Sequence, residues 1–297
     1  MRIYGATSKA FRSDMRVLVT GLDGFTGHYV QRELEKHGHE VFGLKADLTD
    51  LDAVKKDVQS LRPEAVIHLA AISFVGHGDA NAIYQVNLIG TRNLLDALAW
   101  QANRLQCVLL ASSANIYGNA AGGVLDESVN PSPMNDYAVS KLAMEYMARL
   151  WMDKLPIVIT RPFNYTGVGH DVRFVIPKLV ESFLRGADSI ELGNLDVERE
   201  FNDVRVVCEA YSRLLQHGQP GQIYNVCSGR PESLKSVIEA LKQITGHNLQ
   251  INANPDFVRA NEVHRLCGDT ARLEACIGPL QHPPLEETLR WMLSADA

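Results

Sequence analysis

Tyr137 and Lys141 stand four residues apart in Tyr137-Ala-Val-Ser-Lys141, at the start of a helix-like run from Asp136 to Lys154. In a helix this spacing puts both side chains on one face, one turn apart. An ammonium beside a phenol favours the phenolate and lowers the tyrosine pKa. A phenol tuned that way can pass a proton to or from an oxygen near neutral pH. A lone Tyr-x-x-x-Lys pair is a common surface coincidence, so its meaning depends on what the chain builds around it.

A second group precedes it. Arg16 to Thr20 is a short run rich in β-branched residues, as expected of a buried strand. Gly21-Leu-Asp-Gly24-Phe25-Thr26-Gly27 follows at once, then a helical pattern from His28 to His37. Strand, glycine turn and helix together let backbone approach a pyrophosphate, which the helix N-terminus favours. A tight turn without ligand is the bland alternative, and the context favours binding. The next strand, Glu40 to Leu44, ends at Lys45 where a carboxylate would grip an adenosine ribose. A cation there tolerates a 2′-phosphate, so NADP(H) is favoured and NAD(H) is possible; a solvated loop lysine is the plain alternative. Asp47-Leu48 follows, then a helix from Leu51 to Leu61 broken by Pro63.

Positioning elements continue in the same alternation. Ala65 to Leu69 reads as a third strand, and the small Ala70 and Ala71 after it let backbone pass beneath a cofactor. Asn81 to Asn103 reads as one long helical region containing Asn87. Cys107 to Ala111 is a fourth strand, with Ser112, Ser113 and Asn115 at its carboxyl end, where open α/β sheets bind ligands. Ser113 can hydrogen-bond the same oxygen that Tyr137 protonates. Leu155 to Thr160 is a fifth strand, closed by Arg161-Pro162-Phe163-Asn164. Repeated strand–helix units specify a parallel, doubly wound sheet. After Thr166 the segments shorten and turns multiply. Helices are expected at 176–185, 204–215, 233–245 and 284–293, with Tyr224-Asn-Val as another strand. This half reads as a substrate lobe without a core of its own.

The totals exclude several classes. The 297 residues are 46% hydrophobic and 22% charged, which is long enough for one large domain or two joined ones. A net charge of -6 gives no basic face for nucleic acid or anionic membrane. No apolar run reaches membrane-spanning length. Cys107, Cys208, Cys227, Cys267 and Cys276 are odd in number and form no C-x-x-C, so reduced cytoplasmic thiols are expected rather than disulfides or a metal site. Residues 1–14 lack a signal-peptide core and read as an arm that is possibly disordered, before a dinucleotide domain (15–165) and the lobe (166–297, partly returning to the first domain).

With these residues placed, the chain resembles the extended short-chain dehydrogenase/reductases that act on nucleotide sugars. The resemblance rests on the glycine turn, His68-Leu69-Ala70-Ala71, Asn87, Ser113, Tyr137/Lys141, Arg161-Pro-Phe-Asn164 and Tyr224-Asn-Val in the family's order, and spans Met15 to Leu293. It implies a Rossmann sheet with a smaller C-terminal substrate-binding lobe. Ser113, Tyr137 and Lys141 would be catalytic, with Lys141 also holding the nicotinamide ribose. The glycine turn, Lys45, Asp47, Leu48, Leu69 to Ala71, Asn87, Ser112, Tyr137, Lys141 and Pro162 would meet the cofactor. Phe174-Val175-Ile-Pro-Lys178, Arg199-Glu-Phe201 and Phe257-Val-Arg259-Ala-Asn-Glu262 resemble the GDP-sugar branch. By that likeness Lys178 and Arg199 meet the diphosphate, Arg259 and Glu262 bound the nucleotide, and Asn164 touches the sugar or its phosphate. Glu200 replaces the usual aspartate and reads as structural. Without the family, Arg199 between Glu198 and Glu200 is equally a surface pair.

Position 115 separates the chemistries. Dehydratases of this family place an acid near the serine, and the epimerase-reductase of GDP-fucose synthesis places a cysteine there. Ala114 and Asn115 can do neither. Plain hydride transfer to a C4 ketone is what the trio supports, so the expectation is reduction of GDP-4-keto-6-deoxy-D-mannose to GDP-D-rhamnose or its 4-epimer. The short link from the second strand to Asp47-Leu48 resembles the 4-keto-sugar reductases. A nucleotide-sugar 4-epimerase with retained NAD is the nearest rival; a non-catalytic NADP sensor is the rival of another class. The helices over 81–103 and 137–154 resemble the pair that forms a four-helix bundle across a homodimer.

Overall fold

The structure, a computed structural model, describes residues 14–73, 78–120, 123–254 and 263–295. The proposed arm at 1–14 therefore lies outside the described residues, apart from Asp14.

The first half builds β1 (Arg16–Thr20), α1 (Phe25–Lys36), β2 (Glu40–Gly43), α2 (Leu51–Leu61), β3 (Ala65–His68), α3 (Ala80–Tyr84), a π-helical segment (Gln85–Gly90), α4 (Thr91–Ala99), β4 (Cys107–Ala111), α5 (Asp136–Arg149) and β5 (Ile157–Pro162). The expected single helix over 81–103 is thus interrupted. The wider π turn sits where Asn87 is drawn inward, and π turns of this kind recur at functional sites. β5 begins two residues later than the sequence pattern suggests.

The second half supplies β6 (Tyr165–Thr166), α6 (Val175–Leu184), β7 (Ser189–Leu192), β8 (Glu198–Arg199), β9 (Asn202–Asp203), α7 (Val204–His217), β10 (Ile223–Val226), β11 (Glu232–Ser233), α8 (Leu234–Thr245), β12 (Gln250–Ala253), β13 (Arg265–Leu266), α9 (Ala271–Ile277) and α10 (Leu285–Ser294). β10 returns to the main sheet, whose six strands run in the order β10–β5–β4–β3–β1–β2, all parallel. Three smaller sheets, β11–β8–β13, β12–β7 and β6–β9, stiffen the lobe.

Alternation along each strand explains the two layers. Val17, Val19, Ile67 and Leu109 face one side and pack with Leu34, Tyr211 and Leu214. Leu18, Val66 and Leu110 face the other and pack with Val54, Val58, Leu94, Leu98 and Met144. Each fully buried Leu, Ile or Val contributes roughly 1.5–3 kcal/mol, so these two layers dominate the stability of the sheet. α7, assigned from sequence to the lobe, packs instead on α1 and β4. The lobe also differs from expectation in having an apolar cluster of its own, with Ile176, Leu179, Phe183, Val237, Leu241 and Leu289 at its centre. Short segments hid it: each gives too few turns for a periodic stripe to stand out.

Candidate active site

A cleft of ≈ 1000 Å³ opens over the carboxyl ends of β1, β3, β4 and β5, between the sheet and the lobe. Ser113, Tyr137 and Lys141 all line it and all are nearly buried, at 6%, 8% and 3% exposure. Ser113 stands just past β4, and its Oγ accepts the Asn115 N–H at 3.1 Å. That leaves its own proton to donate, with the Tyr137 phenol beside it. α5 begins where Asn135 Oδ1 caps the Ala138 N–H at 2.9 Å, so Tyr137 falls in the first turn and Lys141 in the second. Lys141 Nζ donates to Ala111 O at 2.7 Å, which ties the helix to the end of β4.

The electrostatics correct one expectation. Burial pushes the Tyr137 phenol up, with the Ser113 hydrogen bond pulling the other way. The net shift is upward rather than downward, because desolvation of the phenol dominates. Burial also lowers Lys141 to about 8, opposed by the Glu145 carboxylate one turn further on. Glu145 is in turn held by Arg161, Nε to Oε1 at 3.0 Å and Nη2 to Oε2 at 2.8 Å. Arg161 Nη1 donates to Tyr117 Oη at 2.9 Å, and Tyr117 donates to Asn225 Oδ1 at 2.7 Å. Thus the motifs around Arg161 and Asn225, paired across β5 and β10, anchor α5 from behind. Sequence reasoning missed Glu145, although its place four residues after Lys141 was a usable signal.

The glycine turn has the shape a dinucleotide requires. Gly21 has φ +71, and a Cβ there would stand 3.0 Å from Ala70 N. A Cβ on Gly27 would stand 2.3 Å from the carbonyl oxygens of Gly21 and Leu22. Gly24 caps α1 with no side chain across the first-turn N–H groups, so the positive end of a twelve-residue helix opens into the cleft beside Phe25, Thr26 and Gly27. Leu69, Ala70, Ala71, Ser112 and Pro162 complete this side of the lining. Ser112 Oγ is buried with no partner in the protein, as a hydroxyl awaiting a ligand or water would be. These residues fit a nicotinamide dinucleotide.

Four expected cofactor contacts are not in the lining. Lys45 and Asp47 are exposed; the Asp47 carboxylate accepts from Thr49 N–H and Oγ–H, both at 2.8 Å. Leu48 is buried against Gly90. Asn87 is buried behind the cleft floor, Oδ1 accepting Ile72 N–H at 2.8 Å and Nδ2 donating to Ile72 O at 3.1 Å.

On the lobe side Asn115, Asn164, Val175, Lys178 and Arg199 line the cleft together. Lys178 Nζ donates to Glu191 O at 3.2 Å, and Arg199 donates to the carbonyls of Glu198 and Val263. Arg259 and Glu262 lie outside the described residues. Glu200 is structural: it is buried and accepts backbone N–H groups from Ser228 at 2.6 Å and Gly268 at 2.7 Å. An unexpected wall is aromatic. His170 stacks between Phe25 and Phe174, each at 4.5 Å between centroids, and burial lowers its pKa to about 4. Phe25 opens α1 while His170 and Phe174 lie in the loop before α6, with no shared period to announce them. Among the described residues no group of three or more His, Cys, Asp or Glu is placed to hold a metal ion, and no helix is long and apolar enough to cross a membrane.

A glycine turn under a helix N-terminus, facing a serine, tyrosine and lysine across the edge of a parallel sheet, defines a nicotinamide-dependent enzyme. The chain belongs to the NAD dependent epimerase/dehydratase family, whose model matches residues 17–227. It is 37% identical to GDP-6-deoxy-D-mannose reductase of Pseudomonas aeruginosa over 94% of this chain and 96% of that one. It is 35% identical to GDP-6-deoxy-D-talose 4-dehydrogenase of Aggregatibacter actinomycetemcomitans over 89% and 92% of the two chains. Among solved structures, RMD from P. aeruginosa complexed with NADPH matches with TM-score 0.86 at 35% identity, covering 95% of this chain and 97% of that one. The Thermus thermophilus UDP-glucose 4-epimerase complex with NAD matches with TM-score 0.86 at 26% identity, covering 94% and 98%.

Proposed function

We propose that the chain reduces the C4 ketone of GDP-4-keto-6-deoxy-D-mannose, giving GDP-D-rhamnose or its 4-epimer, with NADPH favoured and NADH usable. The observation that carries this reading is Asn115. It lines the cleft one residue past the buried Ala114, where a dehydratase would need an acid and an epimerase-reductase a thiol. None of the five cysteines lines the cleft.

When bound, the nicotinamide supplies the hydride that C4 receives. The protein's part is the proton and the geometry. The raised pKa keeps Tyr137 a phenol at neutral pH, the form a donor to the C4 oxygen must have. With substrate in place, Ser113 Oγ–H turns from the phenol to polarise the same oxygen. Lys141 is mostly ammonium at pH 7, so its charge stabilises the phenolate left behind and is available to the nicotinamide ribose. Lys178 and Arg199 supply fixed cations for the substrate diphosphate. The GDP assignment is supported by the two relatives named for GDP-6-deoxy sugars.

The test is purified protein with GDP-4-keto-6-deoxymannose and NADPH. Loss of absorbance at the reduced-cofactor band is expected, and no loss overturns the reading. A thermal-shift screen of GDP, UDP, dTDP and CDP should single out GDP, since bound ligand raises stability. The free thiols suit a reducing cytoplasm. A homodimer through α4 and α5 is also proposed, supported by the exposed apolar side chains Ile89, Val139, Tyr146 and Leu150 on this side of the sheet.

A further inference from the structure

Behind the cleft floor lies a run of buried polar side chains that touches neither the cofactor turn's ligand face nor the reacting atoms. Thr20, His68, Asn87, Thr91 and Ser140 are each 1% exposed or less. In an apolar core such groups are retained only when their hydrogen bonds are complete, and here the donors and acceptors can be assigned one by one.

Ala70 N–H donates to Thr20 Oγ1 at 3.2 Å. Thr20 Oγ1 lies 2.6 Å from His68 Nδ1, and His68 Nε2 lies 2.8 Å from Thr91 Oγ1. Thr91 spends its own proton on Asn87 O at 2.7 Å. It must therefore accept from His68, which makes the imidazole the neutral Nε2–H tautomer and leaves Nδ1 to accept from Thr20. Burial, helped by the Lys141 charge, lowers this histidine to about 3, in keeping with a permanently neutral ring. Beyond Thr91, the Asn87 amide clasps both polar groups of Ile72 and donates to Ser140 Oγ at 3.0 Å. Ser140 Oγ–H closes the run on the carbonyl of Tyr137 at 2.8 Å. Every hydroxyl proton is used once, and the two segments meet at Asn87, the first on its main-chain carbonyl and the second from its side-chain amide.

The three ends of this run are the places that matter to the site. Thr20 adjoins Gly21 of the cofactor turn. Ala70 belongs to the floor that the turn approaches so closely, and Ile72 follows it between the lining residues Ala71 and Ser73. Ser140 sits between Tyr137 and Lys141. We propose that Thr91 and Ser140, neither of which lines the cleft, are positioning residues: through His68 and Asn87 they lock the cofactor turn, the cleft floor and the catalytic helix into one unit. The inference rests on the dinucleotide-binding reading above and concerns the same site.

The test is a double-mutant cycle read by NADPH and NADH titration of the full chain, with no sugar present. Thr91→Val and Ser140→Ala remove single hydroxyls at nearly constant volume. Each should weaken binding about 3- to 10-fold, the worth of one hydrogen bond. The double variant should be weaker than wild type by clearly less than the product of the two, because both hydroxyls hold the same residue, Asn87, one at its main chain and one at its amide. Thr91→Ser, which keeps the hydroxyl, should restore wild-type affinity. Lowered melting temperatures with unchanged affinities mean that the residues are only structural and overturn the proposal. So does multiplicative loss in the double variant. A wild-type chain that binds neither dinucleotide sinks the functional reading, and this inference with it; wild-type binding with unaffected variants sinks this inference alone.

Discussion

Glu145 stands one helical turn beyond Lys141 on α5, and its carboxylate holds the lysine pKa up against burial. The carboxylate itself is fixed by two hydrogen bonds from Arg161, and both side chains are almost wholly enclosed. The carboxylate thus stands behind Lys141, away from the cleft lining.

Glu145→Gln should move the basic limb of the kcat/KM profile to lower pH. The sign follows from the two influences on Lys141: burial lowers it to about 8 and Glu145 raises it, so removing the anion leaves burial unopposed. An unmoved limb would mean that Lys141 does not titrate in the free enzyme's profile. Glu145→Ala tests the structural side. It leaves the Arg161 guanidinium buried and unpaired, a loss of about 3–5 kcal/mol that urea unfolding would measure.

Gly27→Ala should abolish dinucleotide binding in titration, whereas Gly24→Ala should weaken it only modestly. A methyl on Gly27 meets two backbone oxygens at 2.3 Å, and backbone cannot step aside without opening the turn. On Gly24 the nearest atom is the Gly21 oxygen at 3.2 Å, a distance that slight relaxation accommodates. Equal binding by both variants would show that the turn is not the cofactor site.

Much of this arrangement was legible in the sequence because it depends on short, ordered signals. β-branched runs flanked by glycine turns located the sheet strands; the spacing of Tyr137 and Lys141 put them on one helix face, and the place of Ser113 at a strand's carboxyl end put it at the same sheet edge. The unreadable parts are contacts between distant segments. Arg161 meeting Glu145, Asn87 clasping Ile72 and His170 entering between Phe25 and Phe174 leave no local period. The tyrosine pKa was misread for a related reason. Charge proximity can be inferred from helical spacing, but the depth of burial that outweighs it is a property of the assembled cleft.

His68 gives a stability prediction with a defined pH window. Its folded pKa, about 3, lies below the unfolded value of 6.5. Between these values the unfolded chain binds the proton and the folded chain does not, so stability rises with pH across that window and falls on acidification. His68→Gln has no such group and should lose less stability than wild type between pH 6.5 and 3, although it starts lower for lack of the ring's two hydrogen bonds. Urea midpoints measured across this range for both proteins check it. Parallel curves would mean that the histidine is protonated in the fold.

Tyr137→Phe and Ser113→Ala should separate proton donation from carbonyl polarisation. Loss of a general acid reduces turnover by about 10²–10⁴-fold, and loss of one polarising donor by about 10²–10³-fold. Neither substitution touches the glycine turn, so NADPH affinity should hold in both. The two losses should not multiply, because both groups act on the same substrate oxygen. Single-turnover rates of reduced-cofactor oxidation in the two single variants and the double variant decide this. Turnover retained in Tyr137→Phe would remove the tyrosine from the role of proton donor, and the search for that donor would begin again among the other groups lining the cleft.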